Sequence, residues 1–366
     1  MAEQPWVSDP YGAEDAPSVL RLARDVWGDV EVADADYLEW QYERNPAGKV
    51  IAQLAREGAG GRVVAQYVTV PVRVQLAGHI YTASIALNVA TDAPYRGRGI
   101  FPALAEAVNR RSTAEGVAFS YAFPNDDSFP GFVNRFGFRH IGSAPLLLRL
   151  VNVERLVSRR FGRRWLRILA RPASRLLAPD LQSERRMVHP DVQVVRVERF
   201  GDEADEFWSR VGGREPVMIV RDASYLNWRF VDIPQRKYVA LEALADGVVV
   251  GFLVLRCAEL RGYAAGLIVD FLVEPGPRGA RAGERLLDEA LAHFAEHDLD
   301  LLGSLALPHS VEYRLIRSRG FWRCPRWLEP QPFRLVVRWH LAPDAMPDTL
   351  YDVHKWFITM GDYDIG

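Results

Sequence analysis

The chain has 366 residues, which is enough for two domains of ordinary size that each bury a core. Hydrophobic residues make up 49% and charged residues 25%, as in soluble globular proteins, and the formal net charge of −2 argues against nucleic-acid binding. With two cysteines, no secretory signal pattern and no apolar run near the ~20 residues of a membrane span, we expect a cytoplasmic protein without integral membrane association.

The chain contains one segment twice. Residues 34–46 return as residues 222–234, with Asp, Ala, Tyr, Leu, Trp and Pro at the same places and a constant offset of 188. A repeated segment of this kind indicates a duplicated architecture. In the two copies Asp34 and Asp222 stand where a side chain can cap a short helix.

The elements predicted after each repeat follow the same order. Each copy has two β-rich runs, a long apolar strand, an Arg/Gly loop, an amphipathic helix, a further strand and a closing Gly-Phe pair. In the second copy the β-rich runs surround Asp246-Gly247, a pair typical of a hairpin turn. The long apolar strands are residues 82–91 and 266–273. This order predicts two mixed α/β domains.

A basic arm at residues 151–190 separates the copies. Its arginines alternate with apolar residues, which predicts a basic amphipathic helix. Such a helix can lie on a membrane or an acidic partner, or it can pack on its own protein with its arginines solvated, which is the ordinary reason for the pattern. We therefore divide the chain into an N-terminal domain (1–150), the arm, and a C-terminal domain with its tail (191–366).

The loop after the first long strand carries the strongest functional signal. A strand ending near Thr91 is followed by Arg96-Gly97-Arg98-Gly99 and by a helix that starts near Phe101. Glycines let successive backbone N–H groups point into one concavity, and the helix start adds the positive end of its dipole. Such a turn binds a pyrophosphate without a lysine.

Around this loop the sequence resembles the GNAT superfamily of N-acetyltransferases. The cofactor loop of that family reads Gln/Arg-x-x-Gly-x-Gly/Ala, and residues 96–100 match it, with Phe101 in place of the last Gly or Ala. The resemblance spans about residues 5–150 and again about residues 192–337. It implies an α/β fold of two tandem GNAT-like domains joined by the basic arm, with acetyl-CoA as co-substrate and no metal.

The resemblance also implies which residues contact coenzyme A. In the family the cofactor lies along the fourth strand and its loop, and an asparagine after the fifth strand contacts the cofactor arm. The positions carried over to this sequence are Val89, Ala90, Thr91, Arg96, Gly97, Arg98, Gly99, Ile100, Phe101, Asn125 and Ser128.

The second copy matches the motif less well. It keeps Arg278 and Gly283 but has Arg281 in place of the middle glycine, and Leu307-Pro308-His309 occupies the stretch equivalent to that of Asn125. We expect this copy to bind the cofactor poorly or not at all, because the Arg281 side chain would crowd the phosphate.

Acyl transfer from a thioester to an amine needs a deprotonated amine and a protonated thiolate. Members of the family often have a tyrosine four residues before the Gly-Phe pair, where it serves as the acid. In this sequence Val133 holds that position in the first copy and Ile316 holds it in the second. The usual acid is therefore absent from both copies.

Four other residues are candidate catalytic groups. Asp126 follows the fifth strand, where the alternative is a turn aspartate that caps the next helix. Asn88 lies on the fourth strand, and its repeat equivalent is Asp270. An aspartate in an otherwise apolar strand must find a partner or shift its pKa upward. This aspartate could therefore serve as a catalytic base, and the alternative is a structural hydrogen bond. Tyr121 on the fifth strand is a candidate acid or a core aromatic residue.

One metal motif is set aside. His293-Phe294-Ala295-Glu296-His297 has the spacing of some zinc peptidases, but it ends a helix and no helix with a third carboxylate ligand is apparent downstream. We therefore expect no metal site.

The sequence as a whole predicts a GNAT-type N-acyltransferase that moves an acyl group, acetyl by resemblance, from coenzyme A to a primary amine of a small molecule. One alternative is a non-catalytic acyl-CoA sensor, which the missing tyrosine favours. Another is an aminoacyl-tRNA-dependent transferase, which would need a basic groove that the net charge does not favour. The oligomeric state is left open.

Overall fold

The computed structural model of the chain describes residues 6–156, 189–260, 262–326 and 329–363. Most of the predicted basic arm, residues 157–188, lies outside the described residues.

The first half of the chain alternates strands and helices in the predicted order. Its strands are β1 (Val7–Pro10), β2 (Ile51–Arg56), β3 (Val63–Leu76), β4 (His79–Thr91), β5 (Phe119–Ala122), β6 (Arg139–Ser143) and β7 (Leu146–Leu150). Its helices are α1 (Ala16–Trp27), α2 (Ala35–Tyr42), α3 (Ile100–Ala114) and α4 (Phe129–Arg135).

The second half repeats this order. Its strands are β8 (Val192–Val197), β9 (Val217–Ile219), β10 (Val239–Ala245), β11 (Val248–Leu260), β12 (Tyr263–Val273), β13 (Leu301–Leu305), β14 (Trp322–Arg323) and β15 (Arg334–Trp339). Its helices are α5 (Asp202–Val211), α6 (Ala223–Leu226), which a π-helical turn continues, α7 (Pro277–Ala295) and α8 (Val311–Ser318).

The strands form two mixed sheets that exchange a strand. The first sheet has the order β1-β2-β3-β4-β5-β15-β6, with β9 also paired to β3, and the second has the order β14-β7-β13-β12-β11-β10-β8. The parallel pairs are β4–β5 and β12–β13. Strand β7 of the first half thus lies in the second sheet, and β15 of the second half lies in the first. Each sheet needs residues from both halves to be complete.

Local predictions from the repeats are confirmed. The Asp34 carboxylate accepts hydrogen bonds from the backbone N–H groups of Asp36 and Tyr37, and Asp222 accepts one from Tyr225, so each caps its helix. Asp246 and Gly247 form the two-residue turn between β10 and β11 with φ angles of 52° and 75°. Among the described helices, none is long and apolar enough to cross a membrane.

Candidate functional site

The Arg/Gly loop leads directly from β4 into α3. Gly97 and Gly99 adopt φ angles of 75° and 74°, a left-handed conformation that favours glycine, and α3 begins at Ile100. A Cβ atom added at either glycine would have no neighbour within 4 Å, so this face of the loop is open. Because the first N–H groups of a helix have no intrahelical acceptor, the loop offers donors to an anion.

Two exposed arginines add positive charge to this loop. The Arg96 Nε donates a hydrogen bond to the Thr91 carbonyl at 3.2 Å, and the Arg98 guanidinium lies 4.9 Å from the centre of the Tyr95 ring. Arg62 forms an ion pair with Asp92 at 2.8 Å and so holds the start of the loop to β3. The loop is therefore both fixed at its base and cationic at its surface.

A bulge interrupts β4 before this loop. Tyr67 of β3 faces two residues, Asn88 and Val89, because the register shifts between the Gln66–Ala90 and Val68–Leu87 pairs. Asn88 has a φ of 51°, its side-chain amide donates to Gln41 Oε1 at 2.5 Å, and its carbonyl accepts from Gln66 Nε2 at 2.8 Å. The Asn88 side chain thus takes part in holding the bulge.

Strands β4 and β5 pair over a very short distance. Their register contains Ser84 opposite Ser120 and Ile85 opposite Tyr121, after which β4 continues to Thr91 while β5 ends at Ala122. The two strands therefore separate at Ile85, and the gap between them leads along β4 to the Arg/Gly loop.

A cleft begins where these strands separate. It comprises about 400 Å³ of space when the open solvent at its mouth is included, and residues from both halves of the chain line it. Its walls are mainly apolar and aromatic. The lining residues are Trp40, Gln41, Val70, Val72, Ile85, Leu87, Tyr121, Tyr225, Trp228, Arg229, Gly361, Asp362 and Tyr363.

Tyr121 is the candidate catalytic residue that lines this cleft. Its hydroxyl lies 3.5 Å from the main-chain carbonyl oxygen of Asp362. Burial, followed by the nearby charge of Asp362, raises the pKa of Tyr121 well above its ordinary value. The phenol therefore keeps its proton near neutral pH and can donate a hydrogen bond.

Asp126 and Asn125 lie outside the cleft. The Asp126 carboxylate is 74% exposed and forms an ion pair with Arg334 at 2.7 Å. The Asn125 side-chain oxygen accepts hydrogen bonds from the backbone N–H and the hydroxyl of Ser128, at 2.9 and 2.8 Å. Asn125 therefore stabilises the turn before α4. Asp126, for which the sequence offered a capping role at this helix as the alternative to catalysis, does not.

Asp270 belongs to a buried ion network. Arg221 Nε lies 3.0 Å from one Asp270 oxygen, and Arg221 Nη2 lies 2.7 Å from Asp362 Oδ1. Burial opposes the charge of Arg221, but the two carboxylates hold its pKa above the ordinary value. Burial raises the pKa of Asp362, although Arg221 opposes this shift. Asp362 belongs to the C-terminal tail and lines the cleft. The network therefore holds the tail in place at the cleft.

Sequence reasoning missed Arg221 and Arg229. The aspartate inside an apolar strand signalled that a partner was needed, but no local pattern identifies Arg221, which is 49 residues away. Arg229 donates to the carbonyls of Gly361 and Tyr363, each at 3.3 Å. These arginines were therefore beyond the reach of local patterns.

The corresponding loop of the second copy has a different geometry. Helix α7 begins at Pro277, so the motif residues Arg278 to Gly283 lie inside the helix and not before it. The Arg281 side chain pairs with Asp191 at 3.0 Å, and Arg278 donates to the Ala245 carbonyl at 2.8 Å. Helical hydrogen bonds occupy backbone N–H groups that a phosphate would need, as in the bond from Ala280 to the Gly276 carbonyl.

Comparisons with known proteins agree with this duplication. Residues 9–141 match the model of an acetyltransferase (GNAT) domain, and residues 200–324 match the model of the acetyltransferase (GNAT) family. No curated protein matches the sequence.

Several solved structures share the fold over nearly the whole chain. A probable N-acyltransferase from Enterococcus faecalis is 12% identical with a TM-score of 0.61, over 91% of this chain and 72% of that one. A GCN5-related N-acetyltransferase from Anabaena variabilis is 10% identical with a TM-score of 0.62, over 92% and 73%. The Saccharomyces cerevisiae N-myristoyltransferase with bound myristoyl-CoA is 13% identical with a TM-score of 0.62, over 95% and 88%.

The similarity to these three solved structures shows the fold, and the matches to the two family models show the family. One model matches each repeat, and between them they include the Arg/Gly loop and its counterpart in the second half. The chain therefore belongs to the GNAT superfamily of acyl-CoA-dependent N-acyltransferases, as a tandem member with one family domain in each half.

Proposed function

We propose that the protein transfers an acyl group from coenzyme A to a primary amine of a small molecule, with the cofactor held by the first half. The observation that best supports this proposal is that β4 joins the Arg/Gly loop to the cleft. Thr91 lies six positions after Ile85, which corresponds to at most about 20 Å of extended strand. This is comparable to the length of an extended pantetheine arm, so the loop would hold the pyrophosphate while the thioester reaches the cleft.

The cleft favours an uncharged amine. Its walls include Val70, Val72 and Trp228, and apolar surroundings lower the pKa of an ammonium group by disfavouring the charged form. Tyr225, Trp228 and Arg229 come from the second half, which would therefore shape acceptor selection.

The reaction would proceed by direct attack of the neutral amine on the thioester carbonyl. The carbon–nitrogen bond forms, the carbon–sulfur bond breaks, and the proton lost by the amine balances the proton gained by the thiolate. Holding both reactants in attack geometry accounts for much of the rate. The Tyr121 hydroxyl would stabilise the negative charge that develops on oxygen or sulfur by donating a hydrogen bond.

The test is to incubate the full chain with acetyl-CoA and a panel of small primary amines and to measure free thiol and amide together. We expect at least one amine to give both products in equal amounts. If coenzyme A binds but no amine in the panel is acylated above the rate of thioester hydrolysis, the transferase proposal is wrong and the sensor alternative is favoured.

A further inference from the structure

We propose that Cys257, His293 and His297 form a zinc site in the second half of the chain. The Cys257 sulfur and one ring nitrogen from each histidine all lie within 4.8 Å of one another. None of the three residues lines the cleft, so this site is separate from the proposed acyl transfer.

The fold brings these side chains together from distant positions. His293 lies in the last turn of α7 and His297 lies two residues beyond its end, where the His297 backbone N–H donates to the Phe294 carbonyl and the two imidazole rings lie 4.6 Å apart. Cys257 lies on β11, which packs against α7, and its side chain contacts the same apolar cluster as Leu253 and Leu255. No third ligand is apparent in the sequence downstream of the histidines, whereas the structure supplies one from a strand upstream.

The hydrogen bonding of His297 prepares it for metal binding. Its Nδ1 lies 2.9 Å from the His293 carbonyl oxygen. Because a carbonyl oxygen only accepts hydrogen bonds, this contact selects the neutral tautomer with the proton on Nδ1, which leaves the Nε2 lone pair for a metal. A ring N–H that donates to a backbone carbonyl is the usual support of a metal-ligating histidine.

The other two ligands are a second imidazole and a thiol. Burial raises the pKa of the Cys257 thiol and so opposes its ionisation in the absence of metal. Zinc binding would break the S–H bond, form a zinc–sulfur bond and release one proton to solvent.

A thiolate with two imidazoles is a donor set that suits zinc, and three protein ligands leave a fourth position for water. Tetrahedral zinc with ordinary bond lengths holds such ligand atoms about 3.3–3.6 Å apart. The donor atoms all lie within 4.8 Å of one another, and adjustment of the three side chains on binding would close the remaining gap.

Two charged groups lie near the histidines and act in opposite directions. The positive charge of Arg196 lowers the pKa of His293, and the negative charge of Glu296 raises it. For a bound cation their effects are likewise opposed, so the site depends on its three ligands and not on a surrounding acidic field.

The experiment uses the full chain freed of metal, with Co²⁺ as the spectroscopic probe and Zn²⁺ as the competitor. We expect a cobalt–thiolate absorption band with the intensity of a tetrahedral site, displaced by Zn²⁺ with a dissociation constant of about 1 μM or below. Cys257→Ser should abolish the band and weaken zinc binding at least ~100-fold, and His297→Ala should weaken it at least ~10-fold.

The matched controls are Cys324→Ala and His79→Ala, which remove the other cysteine and an exposed histidine elsewhere and should bind zinc like the wild type. Because His297 is exposed, its variant tests the site even if the Cys257 variant folds poorly. The proposal is overturned if the wild type shows no cobalt–thiolate band, or if His297→Ala binds zinc as tightly as the controls.

Discussion

The indole N–H of Trp40 donates a hydrogen bond to the main-chain carbonyl of Trp228 at 2.7 Å, and the indole of Trp228 donates to the carbonyl of Trp40 at 3.1 Å. The two rings stack with their centres 4.7 Å apart and their planes at 15°. Since both residues hold the same place in the repeat, this reciprocal pair marks a pseudo-two-fold axis between the halves. Both rings also line the cleft, so the contact between the halves forms a wall of the proposed acceptor site.

Loss of one indole donor should destabilise the fold. Trp40→Phe keeps an aromatic ring but leaves the buried Trp228 carbonyl without its N–H donor. We expect the free energy of unfolding to fall by about 1–3 kcal/mol, measured by urea denaturation.

The matched control is Trp339→Phe, because the Trp339 indole also donates to a backbone carbonyl, that of Ala342, but in an exposed hydrogen bond. We expect it to cost about 0.5 kcal/mol or less. Equal losses in the two variants would show that the buried pair has no special part in joining the halves.

Removing the Tyr121 hydroxyl should slow turnover without weakening the cofactor complex. Tyr121→Phe eliminates the hydrogen-bond donor in the cleft, and loss of one such donor costs about 10²-fold in kcat. Asp126→Asn serves as the comparison, because Asp126 is exposed and paired with Arg334, and it should lower kcat by less than about tenfold.

Steady-state rates together with coenzyme A affinities separate these effects. A fully active Tyr121→Phe would remove the tyrosine from the mechanism. A loss of more than about a thousandfold in Asp126→Asn, with cofactor affinity intact, would instead identify Asp126 as a catalytic base.

Glu242 should make stability depend on pH near neutrality. Burial, followed by the charge of Glu203, raises the pKa of Glu242 from 4.5 to about 7. Between these values the folded protein holds a proton that the unfolded chain has released, so this group favours unfolding increasingly as the pH rises through 7. Replacing it with a neutral group removes the penalty.

We therefore expect Glu242→Gln to raise Tm more at about pH 8 than at about pH 5, relative to the wild type at the same pH. Glu259→Gln on β11 is the control, because that side chain is exposed, and it should shift Tm little at either pH. A Tm difference that is the same at both values would contradict the raised pKa of Glu242.

The features that the sequence predicted correctly are encoded by neighbouring residues. The caps at Asp34 and Asp222, the turn at Asp246-Gly247 and the start of α3 each depend on residues within a few positions of one another. A strand followed by a glycine turn and a helix is such a local pattern, so the Arg/Gly loop could be located without a structure.

The features that it did not predict depend on contacts between distant residues. The order of repeated elements does not say which sheet a strand joins, so the exchange of β7 and β15 was not visible. Arg221 finds Asp270 and Asp362 across 49 and 141 residues, and Cys257 meets His293 only because β11 packs under α7. Periodicity and spacing contain no information on such pairings.

The most direct test of the account is a calorimetric titration of coenzyme A into the wild type, Gly99→Val and Gly116→Val. The two glycines flank α3, have φ angles of 74° and 76°, and each would place a new Cβ in open space, so both variants carry the same backbone strain. We predict about one coenzyme A per chain, wild-type affinity in Gly116→Val, and affinity at least tenfold weaker, about 1.4 kcal/mol, in Gly99→Val. Unchanged affinity in Gly99→Val, or two equivalent sites in the wild type, would contradict cofactor binding by the first loop alone.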